Sequence, residues 1–296
     1  MIAPTQADPT NGFATVTANT AEISNTGFDF NIRSVNIDRE FKWITALNLS
    51  HNRNRLEKLY VNYGLDASYY CAGTYTAQEL VEGRAIDQMW SYKWAGLDGE
   101  GYAQVYDRDG NVVSASESSS LKVEDLVDDG RTQPNFFGNF TNTFSWKGLS
   151  LTVNITYKLG YNTRAYSYRD GYSDRFQAVM ASRWRQAGDE KTTDVPGLHE
   201  SGATDYSYLF ATYGTQNTIS ASHIRLKYIN LSYTLPENIV RKAKLSDVTF
   251  FAQGENLGII WRANKEGIDP DVHSLSGEYE GLPAARLFSL GVNIKF

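Results

Sequence analysis

The residues able to do chemistry are few and scattered. The chain of 296 residues holds 34 acidic and 28 basic side chains, four histidines and a single cysteine, Cys71. Nucleophilic catalysis needs a hydroxyl or thiol beside a base, and neither a nucleophile elbow nor a Cys-His pairing is present. His51, His199, His223 and His273 have no metal-ligand spacing, and one cysteine allows neither an internal disulfide nor a cysteine-rich metal site. Gly96-Leu-Asp-Gly-Glu-Gly101 lacks the strand-to-helix setting that makes a glycine-rich loop a dinucleotide cradle. In Asp107-Arg-Asp-Gly-Asn111 the glycine comes too early for a calcium loop and no Glu closes it, so a plain turn is expected. The sequence therefore predicts no enzyme, no cofactor and no metal site.

Aromatic side chains are the better candidates for ligand contact, with 19 Tyr, 14 Phe and 6 Trp. Flat rings suit sugar faces, but they also form girdles at a membrane interface and pack loops together. Trp90, Tyr92, Tyr166, Tyr168 and Trp261 are the candidate ligand-binding residues, each near the end of an extended segment. The net charge of −6 offers no footprint for nucleic acid or for anionic lipid.

The elements that carry these residues alternate with period two. Leu149, Leu151, Val153, Ile155, Tyr157, Leu159 and Tyr161 interleave with Ser150, Thr152, Asn154, Thr156, Lys158 and Gly160, a long strand with one apolar face. Lys147-Gly148 turns it tightly against Asn135–Trp146. Ala21–Ile37, with a bulge expected near Ser34, forms a hairpin with Phe41–Ser50. Ile219–Leu235 changes parity between Tyr228 and Ile229, and a short, partly helical link leads to Val248–Leu257. The chain closes on Leu287–Phe296, where Phe288, Leu290, Val292, Ile294 and Phe296 share one face. Residues 1–20 read as residual loop, residues 52–134 as an excursion with only Ile86–Leu97 strand-like, and Ser173–Gln186 as a helix.

Short links at 36–40, 147–148 and 236–245 interleave with long ones at 52–134, 162–218 and 258–284. Short turns on one side and long loops on the other mark a transmembrane β-barrel, and no run approaches the roughly 20 apolar residues of a membrane helix. The expected fold is all-β, an antiparallel transmembrane barrel portion of about seven to nine strands. An odd strand count cannot close in lipid, because an open edge leaves backbone groups unpaired. With no export signal at its start, the chain reads as the C-terminal part of a larger barrel, residues 21–296 supplying the barrel strands. A soluble, secreted β-rich glycan-binding or glycan-cleaving domain is the alternative.

Several phrases point to a family. They include Asn25-Thr-Gly-Phe-Asp-Phe30, Phe41-Lys-Trp-Ile-Thr-Ala-Leu-Asn-Leu-Ser50, Phe144-Ser-Trp-Lys-Gly-Leu-Ser-Leu151 and Arg183-Trp-Arg-Gln-Ala-Gly-Asp189. Downstream come Ser222-His-Ile-Arg-Leu-Lys-Tyr-Ile-Asn-Leu-Ser-Tyr-Thr-Leu-Pro236, Gln253-Gly-Glu-Asn-Leu257, Gly267-Ile-Asp-Pro-Asp271, Leu282-Pro283 and Leu290-Gly-Val-Asn-Ile-Lys-Phe296. In this order and spacing they resemble the C-terminal end of the SusC/RagA-type TonB-dependent outer-membrane transporters. Gly258 departs from the pattern, which usually has a bulky residue there. The resemblance implies the last third of a barrel of about 22 strands, import of oligosaccharides or peptides in Bacteroidetes-type bacteria, and a SusD-like lipoprotein over the extracellular side. It also implies energy from the TonB complex through a plug domain that these residues lack, so the chain alone is expected not to transport. Outer-membrane lipid would surround it. Leu290, Val292, Ile294 and Phe296 would carry the assembly signal read by the barrel-insertion machinery.

Overall fold

The computed structural model describes residues 2–6, 10, 12, 15–60, 65–72, 79–166, 179–198, 207–272 and 282–296. At the start, β1 (Ile2–Gln6) and β2 (Thr15–Asn19) pair antiparallel, correcting the loop expected there.

The frame is one seven-stranded antiparallel sheet. β3 (Ala21–Asp38) and β4 (Phe41–Leu59) form a long hairpin. The first long connection holds β5 (Gln88–Leu97), β6 (Ala103–Tyr106), β7 (Val112–Ser114) and β8 (Leu126–Arg131). The sheet resumes with β9 (Phe136–Trp146) and β10 (Leu149–Leu159). After the small pair β11 (Asn162–Arg164) and β12 (Thr218–Ser220), it finishes with β13 (His223–Thr234), β14 (Asp247–Arg262) and β15 (Leu287–Lys295). Its order is β15-β14-β13-β10-β9-β4-β3, so every neighbour in the sheet is the next sheet strand along the chain. In such a meander all long connections leave from one edge and all short ones from the other.

The short turns follow from the residues. Lys147 and Gly148 both have positive φ, 45° and 83°, the primed geometry that matches the twist of a two-residue hairpin. The bulge expected near Ser34 lies between Val35 and Ile37. The parity change at Tyr228 is a bulge that skips Lys227 on both sides of β13. Helical turns at Glu237–Val240 and Arg241–Ala243, closed by left-handed Lys244, make the link into β14.

Registers assign the two faces. Phe30, Leu49, Gly138, Tyr157, Ile224 and Trp261 stand opposite one another in turn across five pairings and therefore share one side. This side is apolar, and at β15 it carries the exposed Phe288, Leu290, Val292 and Ile294. Polar side chains cover the other. Asn48 donates to Asn139 at 3.2 Å, Asn154 to Thr141 at 2.6 Å and Asn230 to Gln253 at 3.0 Å, and the Thr143 and Thr152 hydroxyls meet at 3.3 Å.

A polar cluster on the apolar side is satisfied within itself. Asn142 Oδ1 accepts from Trp43 Nε1 at 2.8 Å and Thr45 Oγ1 at 2.7 Å, while Asn36 Nδ2 donates to Thr45 Oγ1 at 2.7 Å. In a medium without water such groups must satisfy each other.

Gly138 shows how tightly the strands are set. A Cβ there would stand 2.0 Å from the Asn48 carbonyl oxygen and 2.7 Å from the Tyr157 hydroxyl, which itself donates to that carbonyl at 2.7 Å. Backbone cannot move aside as a side-chain tip can. Gly138→Ala is expected to cost about 1–3 kcal/mol by overpacking, read as a lower urea midpoint of the refolded full-length protein; an unchanged midpoint would contradict it.

The first two long connections build a layer with its own hydrophobic core. The order β7-β6-β5-β8 makes a four-stranded sheet over which Ala67–Ala72 and the helix Ser207–Tyr213 pack, burying Tyr92, Phe210, Val105 and Leu121. Only one strand was expected in 52–134. β6, β7 and β8 are too short for a periodic signal, and tertiary packing rather than alternation holds them. None of the four joins the seven-stranded sheet, so among the described residues the excursion adds no strand to it. Of the helix expected over Ser173–Gln186, residues 173–178 lie outside the described residues; in the rest Met180–Ser182 forms a single 3-10 turn and the chain is extended at Arg183, so no helix runs on to Gln186. The Asp107 turn is the β6–β7 hairpin, its carboxylate holding Asn111 N at 2.8 Å. Among the described residues no cluster of His, Cys, Asp and Glu could hold a metal ion.

Candidate functional site

The charged side chains that matter gather where the long connections meet the sheet. Asp87 and Arg131 form a buried pair, Nε lying 3.1 and 3.0 Å from the two carboxylate oxygens. Asp87 also accepts from Asn54 Nδ2 at 2.7 Å and Gln133 N at 3.1 Å. Arg131 donates onward to the Asn52 carbonyl at 2.5 Å and Asn135 Oδ1 at 2.9 Å. One ion pair thus fastens both ends of the four-stranded layer to β4 and to the approach to β9.

A second network fastens the last long connection to the sheet's polar side. Gly267 takes a φ of 76°, Asp269 Oδ1 accepts from Asp271 N at 3.1 Å, and buried Ile268 anchors the turn. Both carboxylates are then aimed at β10 and β13. Arg225 reaches Asp269 Oδ1 at 2.5 Å and Asp271 Oδ2 at 3.1 Å, and Lys158 Nζ reaches Asp271 Oδ1 at 2.6 Å. The buried imidazole of His223 places Nε2 3.3 Å from Asp271 Oδ2, while Nδ1 donates to the Ala221 carbonyl at 3.0 Å. Hydrogen bonds from His223 and from Lys158, against the opposing effect of burial, hold the Asp271 carboxyl well below the usual aspartate range. Such an ionised cluster clamps a loop. It offers no nucleophile.

A recess of about 590 Å³ opens beside this clamp, between the end of β14 and the segment Leu282–Arg286. A smaller one of about 320 Å³ lies between Gln133, Lys158, Tyr161 and Asp271.

The candidate ligand aromatics separate. Trp90 and Tyr92 are 7% and 1% exposed in the core of the long-connection layer, so the expectation that they meet ligand is corrected. Their strand, β5, is the centre of a small sheet covered by helices; it is not a wall of the main sheet. Burial also lifts the Tyr92 hydroxyl far above its ordinary range and pushes the Cys71 thiol up to about 12, leaving Cys71 an inert core residue. Tyr166 is half-buried, its hydroxyl donating to Glu266 at 2.8 Å. Tyr168 lies outside the described residues. Trp261, half-exposed, stands on the apolar side opposite Ile224 and borders the larger recess.

Asp87, Arg131, Lys158, His223, Arg225, Asp269 and Asp271 escaped the sequence reading as site residues. A signal existed for part of the set. The phrases containing Ser222-His-Ile-Arg225 and Gly267-Ile-Asp-Pro-Asp271 are about 40 residues apart, yet the first supplies the cations for the second.

Comparison with known proteins resolves the class. No family model matches the chain. TonB-dependent receptor P3 of Formosa agariphila is 24% identical over 97% of the chain. The chain is similar to TonB-dependent receptors, and a SusC/RagA-like portion of such a barrel fits it. A second receptor of that organism, P26, is 23% identical over 96% of the chain. The chain spans about 30% of the length of each of these relatives. Among solved structures, the RagAB peptide importer superposes over the entire chain in its closed-closed state with a TM-score of 0.70 at 23% identity, matching 32% of that chain. In the open-open state the TM-score is 0.71 at 21% identity, over 31% of that chain. TonB-dependent receptors are outer-membrane β-barrels, and the likeness assigns the sheet to that membrane.

Proposed function

We propose that the chain forms the C-terminal wall of a TonB-dependent importer of nutrient oligomers, oligosaccharides or peptides, across the outer membrane. One observation carries this reading: a seven-stranded meander whose long connections all leave one edge, the first two folding there into a packed layer. Amides and hydroxyls line the polar side, where they can exchange hydrogen bonds with passing sugar or peptide groups. The layer above supplies a broad extracellular surface for a SusD-like lipoprotein. Energy would come from the TonB complex through the plug of the full-length receptor. The protein does no covalent chemistry on its cargo. On the terminal strand, Leu290, Val292, Ile294 and Phe296 present an unbroken apolar row for the insertion machinery.

The test is deletion of the full-length receptor gene followed by uptake of fluorescently labelled glycan and peptide oligomers. Uptake of at least one class should fall to background, and an affinity-tagged receptor should bring down a lipoprotein encoded beside it. Undiminished uptake of every class would sink the proposal.

A further inference from the structure

The recess between β14 and Leu282–Arg286 carries an unbalanced charge that the clamp beside it does not use. Three arginines line it, Arg225, Arg262 and Arg286, and among the described lining residues Asp269 is the one acid. Arg225 is neutralised, since Asp269 and Asp271 both hold it. Arg262 spends NH1 on a neutral acceptor, the Gly267 carbonyl at 2.8 Å. Arg286 is exposed and has neither a hydrogen bond nor an ion pair among the described residues. Two positive charges therefore face one concave space without a counter-charge among the described residues. Nearby, Lys227 Nζ donates to Asn256 Oδ1 at 2.8 Å, adding a third cation just behind the wall.

The walls keep that space open. β14 runs on to Arg262, whereas its pairing with β15 ends at Glu255 opposite Leu287, so the strand's last turn of sequence borders a gap. Asn256 Nδ2 donates to the Ala285 carbonyl at 3.1 Å and fixes the far wall. Gly258, at φ 118°, adds no side chain between the walls; even a Cβ there would stand 3.7 Å from Arg286 NH2. Like-charged groups are held in such a concavity at a cost that an anion removes, and a guanidinium fork matches a planar oxyanion with two parallel hydrogen bonds.

We infer that this recess is an oxyanion site, binding a carboxylate-bearing group on Arg262 and Arg286. That the carboxylate belongs to imported cargo rests on the importer reading; the anion site does not. The experiment is arginine labelling by phenylglyoxal on the full-length receptor in detergent, read residue by residue by peptide mass spectrometry. Triglutamate and trigalacturonate are the probes, triglutamine and galactotriose their neutral counterparts, and exposed Arg185 the internal reference. Both carboxylated probes should slow labelling of Arg262 and Arg286 without affecting Arg185, and the neutral oligomers should do nothing. Arg262→Gln with Arg286→Gln, which spares the clamp, should weaken triglutamate binding by about tenfold or more per guanidinium removed.

Equal protection by neutral oligomers, or none by either carboxylate, would overturn the site. Because Trp261 faces lipid beside it, the labelling is repeated with added lipopolysaccharide. Protection by lipopolysaccharide alone would assign the recess to a lipid phosphate and overturn the soluble carboxylate. Arginines unreactive without probe, and reactive after Glu278→Gln with Glu280→Gln, would mean the chain's own carboxylates fill the recess, also overturning it. Loss of uptake in the gene deletion with no protection here would leave the importer reading standing and this site refuted.

Discussion

Arg131→Ala is expected to release the extracellular layer from the barrel wall, at a cost of about 3–5 kcal/mol, the penalty for breaking a buried ion pair by removing one partner. The pair is about nine-tenths buried on both sides, so water cannot replace the lost guanidinium. Asp87 would keep its bonds from Asn54 and Gln133, but its charge would be uncompensated. The Asn52 carbonyl and the Asn135 side chain would lose a donor at the same time. Asp87→Ala should do comparable damage, and the double variant should cost clearly less than the sum, because neither charge is then stranded. The effect should be local. Hydrogen exchange of the full-length receptor should accelerate across β5 and β8 while β9 and β10 stay protected, and protease nicking should appear within 79–131. Wild-type exchange in that layer after Arg131→Ala would show that the apolar core around Tyr92 and Phe210 suffices without the clamp.

The second large effect concerns the two sides of the sheet. Ile155 lies near the middle of β10 and stands between Phe140 and Leu226 on the apolar side, whereas Thr152 stands between Thr143 and Asn230 on the polar side. Ile155→Arg places a charge in the hydrocarbon and should cost about 2–4 kcal/mol, the depth-dependent penalty of a lipid-facing cation. Thr152→Arg points the same side chain into the water-filled lumen and should cost little. Urea titration of the refolded receptor in lipid, together with the yield of heat-modifiable protein in the outer membrane, separates the two. Equal loss from both would mean that the assigned sides are wrong.

How much of this was legible beforehand depends on the length over which a pattern runs. Eleven alternating residues, as in β10, or nine, as in β15, define face and direction locally, because the side-chain period of a strand needs no partner. Lys147-Gly148 likewise declares its turn, since few dipeptides accept two positive φ angles. Strands of three or four residues such as β6, β7, β11 and β12 give no period, and they exist because a neighbour supplies their hydrogen bonds. Trp90 and Tyr92 illustrate the other failure. Aromatic content marks them as notable, yet whether a ring meets ligand or core depends on what folds over it.

By itself, then, the sequence determined the all-β class, the alternation of short and long connections, which side of each long strand is apolar, and the family resemblance, all of them properties of residues close together along the chain. The tertiary structure decided that the first two long connections share one core, that Asp87 finds Arg131 across 44 residues and Arg225 finds Asp269 across a similar distance, and that three arginines line one recess. Ion pairs and pockets join positions remote in sequence. No local period or composition encodes which charge will face which, because that is set only when strand register brings distant side chains to the same side of the sheet.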